Sequence, residues 1–182
     1  IDELLKNKIQ PWVTLFHWDY PQALFLRGGW LNPDSPEWFA EYAQVVCDRL
    51  SDRVSHWMTL NEPQCYIGLG HIDGEHAPGL KLPMKEVLLA LHHTLLAHGR
   101  GVQVLRERAK TRPVIGMATV GSTRIPATDK PRDVEAARKD MFAVKENNHL
   151  WINSWFTDPM ILGKYPEDGL RVFGQDAPKF TA

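Results

Sequence analysis

Three apolar, β-branched runs alternate with helical patterns along this chain, and the alternation limits its possible folds more than any other feature. The runs read IQPWVTLFHW, RVSHWMTLNEP and RPVIGMATVG. Short apolar runs of this kind are typical of buried strands. One helical pattern precedes the first run, and another follows each of the three. Strands that alternate with helices predict an α/β fold, with a parallel sheet of about three strands and flanking helices.

The helical patterns each place their apolar residues on one face. The segment NPDSPEWFAEYAQVVCDRL can be capped by Asp34 or Ser35 and has Pro36 in its first turn. Two longer helices are predicted over about 83–108 and 132–156, and the Pro and Gly residues of TDPMILGKYPEDG are expected to break the second of these. The apolar faces of the first two patterns consist of Phe39, Tyr42, Ala43, Val46 and Leu50, and of Leu88, Leu91, Leu95, His98, Val102 and Leu105.

Polar and aromatic side chains stand where two of the predicted strands end. His17 and Trp18 close the first run, and Asn61 and Glu62 close the second. In barrel enzymes the active site is built from the carboxyl ends of the strands and the loops that follow them. A carboxylate directly after a buried strand is therefore a candidate catalytic group, with the other three residues beside it.

The composition excludes several classes of function. The chain has 182 residues, 43% of them hydrophobic, and a formal net charge of −1, which suits a single globular domain over residues 1–182. No basic block predicts nucleic-acid binding, and no apolar run approaches the ~18 residues of a membrane span. Cys47 and Cys65 lack metal-type spacing and are expected to be free, buried thiols, which favours a reducing compartment, the cytoplasm.

Several stretches together resemble glycoside hydrolase family 1, whose members are retaining β-glycosidases built on a (β/α)8 TIM barrel. VTLFHWDYPQAL followed by GGWLNP is similar to the family's third strand and the loop after it, and WMTLNEPQC is similar to its fourth-strand signature. GEHAPG, LHHTLLAHGRGVQVLR and WFTDPMILGKYPE match later family segments in the same order. The resemblance implies an interior slice of the barrel, covering about strands three to five and truncated at both ends relative to the family.

The resemblance also implies roles for individual residues. Glu62 would be the general acid/base, Asn61 would hold the 2-hydroxyl of the sugar, and His17 would bind a ring hydroxyl. Trp18 would contact the sugar or form a wall of its site, and Trp30 would lie with the GEHAPG loop near the mouth of the cleft. The implied activity is that of a β-glucosidase acting on a β-glucoside or oligosaccharide, without a cofactor or a metal.

Three departures from the family pattern qualify this interpretation. The nucleophile of the family is a Glu in a Thr-Glu-Asn-Gly motif, which this sequence lacks; Glu146 in KENNHL lies in a helical pattern and is expected to be solvated. Gln64 stands where many relatives have a Trp that stacks on the leaving group, and ATVGST after the third run offers no assignable polar contact. The chain alone is thus expected to be inactive, and its sheet edges need the rest of the barrel or self-association.

Alternatives to this interpretation remain at the level of the sequence. The stretch HIDGEH contains four side chains that can bind metals, although not in the H-E-x-x-H spacing. A 6-phospho-β-glycosidase would differ from a β-glucosidase in segments that this sequence lacks. A non-catalytic glycosidase-like protein would retain the fold without the second carboxylate. The metal-binding residue types of HIDGEH are His71, Asp73, Glu75 and His76.

Overall fold

The computed structural model describes residues 1–145 and 151–179 and contains one sheet of three parallel strands. These are β1 (Trp12–Phe16), β2 (His56–Asn61) and β3 (Val114–Ala118), and they lie in this order across the sheet. Each predicted run therefore forms one strand, and the parallel arrangement is confirmed. The carboxyl ends of all three strands lie at the same edge of the sheet.

The register of the sheet determines which strand ends are neighbours. Phe16 of β1 pairs with Leu60 of β2, so the residues that follow each of them lie side by side. Asn61 at the end of β2 pairs with Ala118 at the end of β3, after an irregularity that begins at Met58. The end of β2 consequently lies between the ends of the other two strands.

The helices alternate with the strands as the sequence predicts, with shorter helices in the connections. A 3-10 turn at Gly29–Leu31 and a π-helical turn at Leu69–Asp73 lie in the loops after β1 and β2. The α-helices are α1 (Asp2–Lys6), α2 (Gln22–Phe25), α3 (Ser35–Leu50), α4 (Pro63–Gly68), α5 (Met84–Arg108), α6 (Pro131–Phe142), α7 (Ser154–Leu162) and α8 (Glu167–Phe173).

The two long helices α3 and α5 pack against each other and form the most extensive helix–helix contact of the described chain. Their approach is close at Gly101, because a Cβ atom there would lie 2.7 Å from Cε1 of Phe39. The predicted apolar face of α3 is largely confirmed, since Phe39 and Ala43 are buried. Tyr42 is an exception: it is 47% exposed, and its hydroxyl donates to the carbonyl oxygen of Leu15.

The helix predicted over 132–156 is wrong in its second half. Helix α6 ends at Phe142, and the backbone of Ala143 is extended with ψ 126°. The amide of Val144 then donates to Oδ2 of Asp168 at 3.0 Å, so this N–H bonds a side chain of α8 instead of a carbonyl oxygen of α6. The prediction that Pro and Gly residues of TDPMILGKYPEDG break the helix is right for Gly163, where α7 ends with φ 70°, and wrong for Pro159, which lies inside α7.

The core lies between the sheet and the helices, while the outer edges of the sheet are open. Trp57 and Leu60 of β2 are fully buried, whereas Trp12 of β1 is 55% exposed and Val114 of β3 is 51% exposed. Neither β1 nor β3 has a strand partner on its outer side within residues 1–145 and 151–179. Among the helices in those residues, none combines the length and the apolar character that crossing a membrane requires.

Candidate active site

Three of the predicted site residues form one hydrogen-bonded group at the ends of β1 and β2. His17 and Trp18 follow β1, and Asn61 is the last residue of β2. The side-chain amide nitrogen of Asn61 lies 3.3 Å from Nε2 of His17. The indole nitrogen of Trp18 donates to the main-chain oxygen of Asn61 at 2.9 Å. Parallel pairing of the two strands is thus enough to bring together residues that are more than forty positions apart in the sequence.

Trp18 adopts a backbone conformation that non-glycine residues rarely take. Its φ is 76°, in the left-handed region. Such a conformation costs about 1 kcal/mol or more and persists only where the surroundings fix it. Here the hydrogen bond to Asn61 fixes one end of the indole, and the rings of His17 and His76 lie 5.6 and 5.5 Å from it. The indole is therefore a positioned wall beside the strand ends.

Glu62 lies directly after β2 and is partly buried. Its backbone is also left-handed, with φ 45° and ψ 64°, and Pro63 begins α4 immediately after it. The N–H of Glu62 donates to the carbonyl oxygen of Ala118 at 2.6 Å, and its own carbonyl oxygen accepts from the N–H of Cys65 at 2.9 Å. The fourth predicted residue is thus placed beside Asn61, and its main chain bonds both β3 and α4.

Cys65 contacts the carboxylate of Glu62, which the sequence interpretation missed. The thiol donates to Oε2 of Glu62 over 3.5 Å between sulfur and oxygen. Burial, and then the hydrogen bond to Glu62 and its charge, raise the pKa of the Cys65 thiol to about 11. The spacing of Glu62 and Cys65 in the sequence could have predicted this contact, because residues three apart at the start of a helix lie on one face.

Gln64, which stands where the family pattern has an aromatic residue, lies inside the protein. Its side chain is completely buried and does not stack at a cleft. Its amide nitrogen donates to the carbonyl oxygen of Val120 at 2.6 Å, and its amide oxygen accepts from the N–H of Val120 at 3.5 Å. The stretch after β3, where the sequence analysis predicts no polar contact, therefore bonds Gln64 through its main chain.

A cavity of about 610 Å³ lies between the loop after β1 and the loop that contains GEHAPG. Trp18, Glu75 and His76 line it, so the indole of Trp18 stands between this cavity and the hydrogen-bonded strand ends. Trp30, expected near the mouth of the cleft with the GEHAPG loop, lines the same cavity as that loop. It is also buried and packs edge-to-face against Phe16 with a centroid distance of 5.4 Å, so its ring belongs both to the core and to the wall of the cavity.

Comparison with known proteins decides which family these features belong to. The profile of glycosyl hydrolase family 1 matches residues 1–182. The chain belongs to glycosyl hydrolase family 1. Its relatives include the 1,4-beta-D-glucan glucohydrolase of Thermotoga neapolitana, 42% identical over 182 residues, which cover 98% of this chain and 40% of the relative. Beta-glucosidase A of Acetivibrio thermocellus is 40% identical over 93% of this chain and 36% of its own length.

Solved structures of family 1 enzymes have the same fold as the described chain. The beta-glucosidase from Thermotoga maritima in complex with deoxynojirimycin matches with a TM-score of 0.81 and 37% identity, over 97% of this chain and 38% of that structure. The psychrophilic beta-glucosidase from Micrococcus antarcticus matches with a TM-score of 0.79 and 43% identity, over 97% of this chain and 35% of that structure. The predicted fold class, part of a TIM barrel, is confirmed, and the chain spans about two fifths of the length of these relatives at most.

A retaining family 1 enzyme needs a second carboxylate, and the part of the chain that the structure describes does not identify one. Glu146, the only residue that the sequence offered in an approximate nucleophile motif, lies outside the described residues. The roles assigned to Glu62, Asn61, His17 and Trp18 rest on the family pattern and on their placement, and they stay predictions.

The metal-binding alternative finds no support in the geometry. Within residues 1–145 and 151–179, no group of three or more His, Cys, Asp and Glu side chains could hold a metal ion. His71 is buried, and its Nδ1 lies 3.0 Å from the main-chain oxygen of Tyr66. Burial lowers the pKa of His71, which keeps the ring neutral as a donor to that carbonyl. His71 is thus a structural residue of this loop, not a metal ligand.

Proposed function

We propose that this chain carries the acid/base side of a retaining β-glycosidase that hydrolyses terminal β-D-glucosyl residues. The observation that supports this most is the position of Glu62 beside Asn61 at the carboxyl end of β2, in a chain of family 1. The named relatives are a glucohydrolase and beta-glucosidases, which favours an unphosphorylated glucoside over a 6-phosphoglycoside. Complexes of a family 1 neighbour with deoxynojirimycin and castanospermine further support a sugar substrate.

In the first step Glu62 acts as the acid. A nucleophilic carboxylate attacks the anomeric carbon while the bond from that carbon to the leaving oxygen breaks. The proton of Glu62 passes to the leaving oxygen, which departs as an alcohol, and a glycosyl ester remains on the nucleophile. Retaining enzymes place the two carboxyl groups about 5–5.5 Å apart for this exchange. Asn61 and His17 would bind sugar hydroxyls from the same strand ends.

In the second step Glu62 acts as the base. Its carboxylate takes a proton from a water molecule, whose oxygen attacks the anomeric carbon. The ester bond breaks, the nucleophilic carboxylate is released, and glucose leaves with its original anomeric configuration. Microscopic reversibility requires the same residue to serve in both steps. The contact of the Cys65 thiol with Oε2 then remains available to the ionised form of Glu62.

The assignment of Glu62 is tested by the variant Glu62→Ala in the protein at its full natural length. We expect kcat/KM for alkyl glucosides to fall by about 10²–10⁴-fold, the usual contribution of general acid–base catalysis. The same ratio for 2,4-dinitrophenyl glucoside should change little, because that leaving group needs no proton. Azide should restore turnover of the activated substrate, since it attacks the glycosyl-enzyme without a base.

The matched control is Glu41→Ala, because Glu41 is an exposed carboxylate on α3. This variant should have the wild-type kcat/KM for both the alkyl glucosides and 2,4-dinitrophenyl glucoside. An equal loss on good and poor leaving groups in Glu62→Ala, without rescue by azide, would contradict the acid/base role. A wild-type protein without any glucosidase activity would contradict the proposed function itself.

A further inference from the structure

Gln64 is a buried amide whose two polar atoms both bond one residue of a neighbouring segment. Its side chain is 0% exposed. The amide nitrogen donates to the Val120 carbonyl at 2.6 Å, and the amide oxygen lies 3.5 Å from the Val120 N–H. Buried polar groups without partners are costly, so these bonds determine where the side chain can lie. Gln64 thereby joins the first turn of α4 to the segment after β3.

This junction lies next to the candidate acid/base. Glu62, two residues before Gln64, has its N–H bonded to the carbonyl oxygen of Ala118, two residues before Val120. Two contacts, one between Glu62 and Ala118 and one between Gln64 and Val120, therefore connect the turn after β2 to the end of β3. The turn between them contains the left-handed backbone of Glu62, which needs such support to persist.

We propose that Gln64 is a positioning residue for Glu62: by bonding the main chain of Val120, it fixes the turn from which the Glu62 carboxyl group reaches the substrate. The inference rests on the proposed function. It also accounts for the departure from the family pattern. A side chain bonded to Val120 inside the protein is not available to stack on a leaving group, so the chain uses this position for support of the acid/base.

The test is Gln64→Met in the protein at its full natural length, because Met has a similar length and volume but cannot form either hydrogen bond. Displacement of a catalytic group by about 1 Å can cost up to 10²-fold. We expect kcat/KM for alkyl glucosides to fall by about tenfold or more, within that limit. The value for 2,4-dinitrophenyl glucoside should stay close to wild type, because the first step on this substrate does not use the proton of Glu62.

The matched control is Gln44→Met, since Gln44 is an exposed glutamine on α3. It should preserve both values. If Gln64→Met is folded and its kcat/KM depends on the leaving group as in the wild-type protein, the proposal is overturned. An equal loss on both substrates together with a lower melting temperature would also overturn it, because that result indicates a structural role alone.

If Gln64→Met does not yield folded protein, Gln64→Asn takes its place. Asn keeps an uncharged amide, but its side chain is one methylene shorter and cannot hold both bonds to Val120, so the same selective loss is expected. An unchanged leaving-group dependence in this variant would overturn the proposal. Glu62→Ala, measured in parallel, separates the two hypotheses. If Glu62→Ala shows selective loss with azide rescue and the Gln64 variants do not, only the positioning role fails.

Discussion

At the scale of single residues, the thiol of Cys65 shows how the protein restricts a reactive group beside its candidate catalytic carboxylate. Cys65 is buried, and the pKa of its thiol is raised to about 11, first by burial and then by Glu62. Only the thiolate is a good nucleophile, so a raised pKa suppresses alkylation and oxidation. The S–H group is consequently a stable hydrogen-bond donor to Oε2 of Glu62.

We expect Cys65 to resist thiol reagents in the folded protein at neutral pH. The variant Cys47→Ser leaves Cys65 as the remaining thiol within residues 1–182. Its reaction with Ellman's reagent, followed by absorbance, should be far slower in buffer than in guanidinium chloride, where the thiol is solvated and its pKa is ordinary. If the rates are similar in both solutions and the protein is folded, the thiol is not buried against Glu62.

At the scale of the element, two glycines of α5 lie in opposite surroundings although they are two positions apart. A Cβ atom at Gly101 would meet the ring of Phe39 at 2.7 Å and Thr59 at 3.5 Å, whereas a Cβ atom at Gly99 would have no heavy atom within 4 Å. Phe39 is buried, so its ring has little freedom to move away. The close approach of α3 and α5 therefore requires glycine at position 101 but not at position 99.

The variants Gly101→Ala and Gly99→Ala should change stability in opposite directions. Gly101→Ala is expected to lower the free energy of unfolding by about 1–3 kcal/mol through overpacking. Gly99→Ala should raise it by roughly 0.5–1 kcal/mol, the gain in helix propensity from glycine to alanine. Urea denaturation of both variants measures the difference. Stabilisation by Gly101→Ala would show that α3 and α5 are farther apart than the structure has them.

At the scale of the whole molecule, the described chain is a three-stranded segment of a barrel with an open edge on either side. Its candidate acid/base lies directly after the middle strand, and the family's Thr-Glu-Asn-Gly motif is absent from residues 1–182. Retaining hydrolysis requires two carboxyl groups at one site. The segment thus contains the candidate sugar-binding groups and the candidate acid/base but not a recognisable nucleophile.

A polypeptide of residues 1–182 alone should not hydrolyse 2,4-dinitrophenyl glucoside faster than buffer without protein. The activated substrate makes the test stringent, because it depends least on the acid and most on the nucleophile. The absorbance of the released dinitrophenolate measures the rate, and the protein at its full natural length is the positive control. Turnover by a polypeptide of verified mass would mean that a carboxylate within this chain acts as the nucleophile.

The sequence predicted what local patterns determine and missed what distant segments determine. The strands and α5 were predicted because their apolar periodicity agrees with their final burial. The helix over 132–156 was wrong because Asp168, far along the chain, accepts a hydrogen bond from Val144. Likewise the burial of Gln64 depends on Val120, more than fifty positions away. The four site residues were named from strand ends and a family motif, whereas the contact of Cys65 with Glu62 needed coordinates.

The left-handed backbone of Glu62 has a consequence for directed evolution. Glycine adopts φ 45° without the steric cost that any side chain incurs there, so Glu62→Gly removes about 1 kcal/mol of strain. A library screened only for heat resistance would therefore accumulate glycine at the position that carries the proposed catalytic proton. A screen for turnover would reject the same clones. At this position glycine is optimal for thermostability, whereas glutamate is optimal for activity.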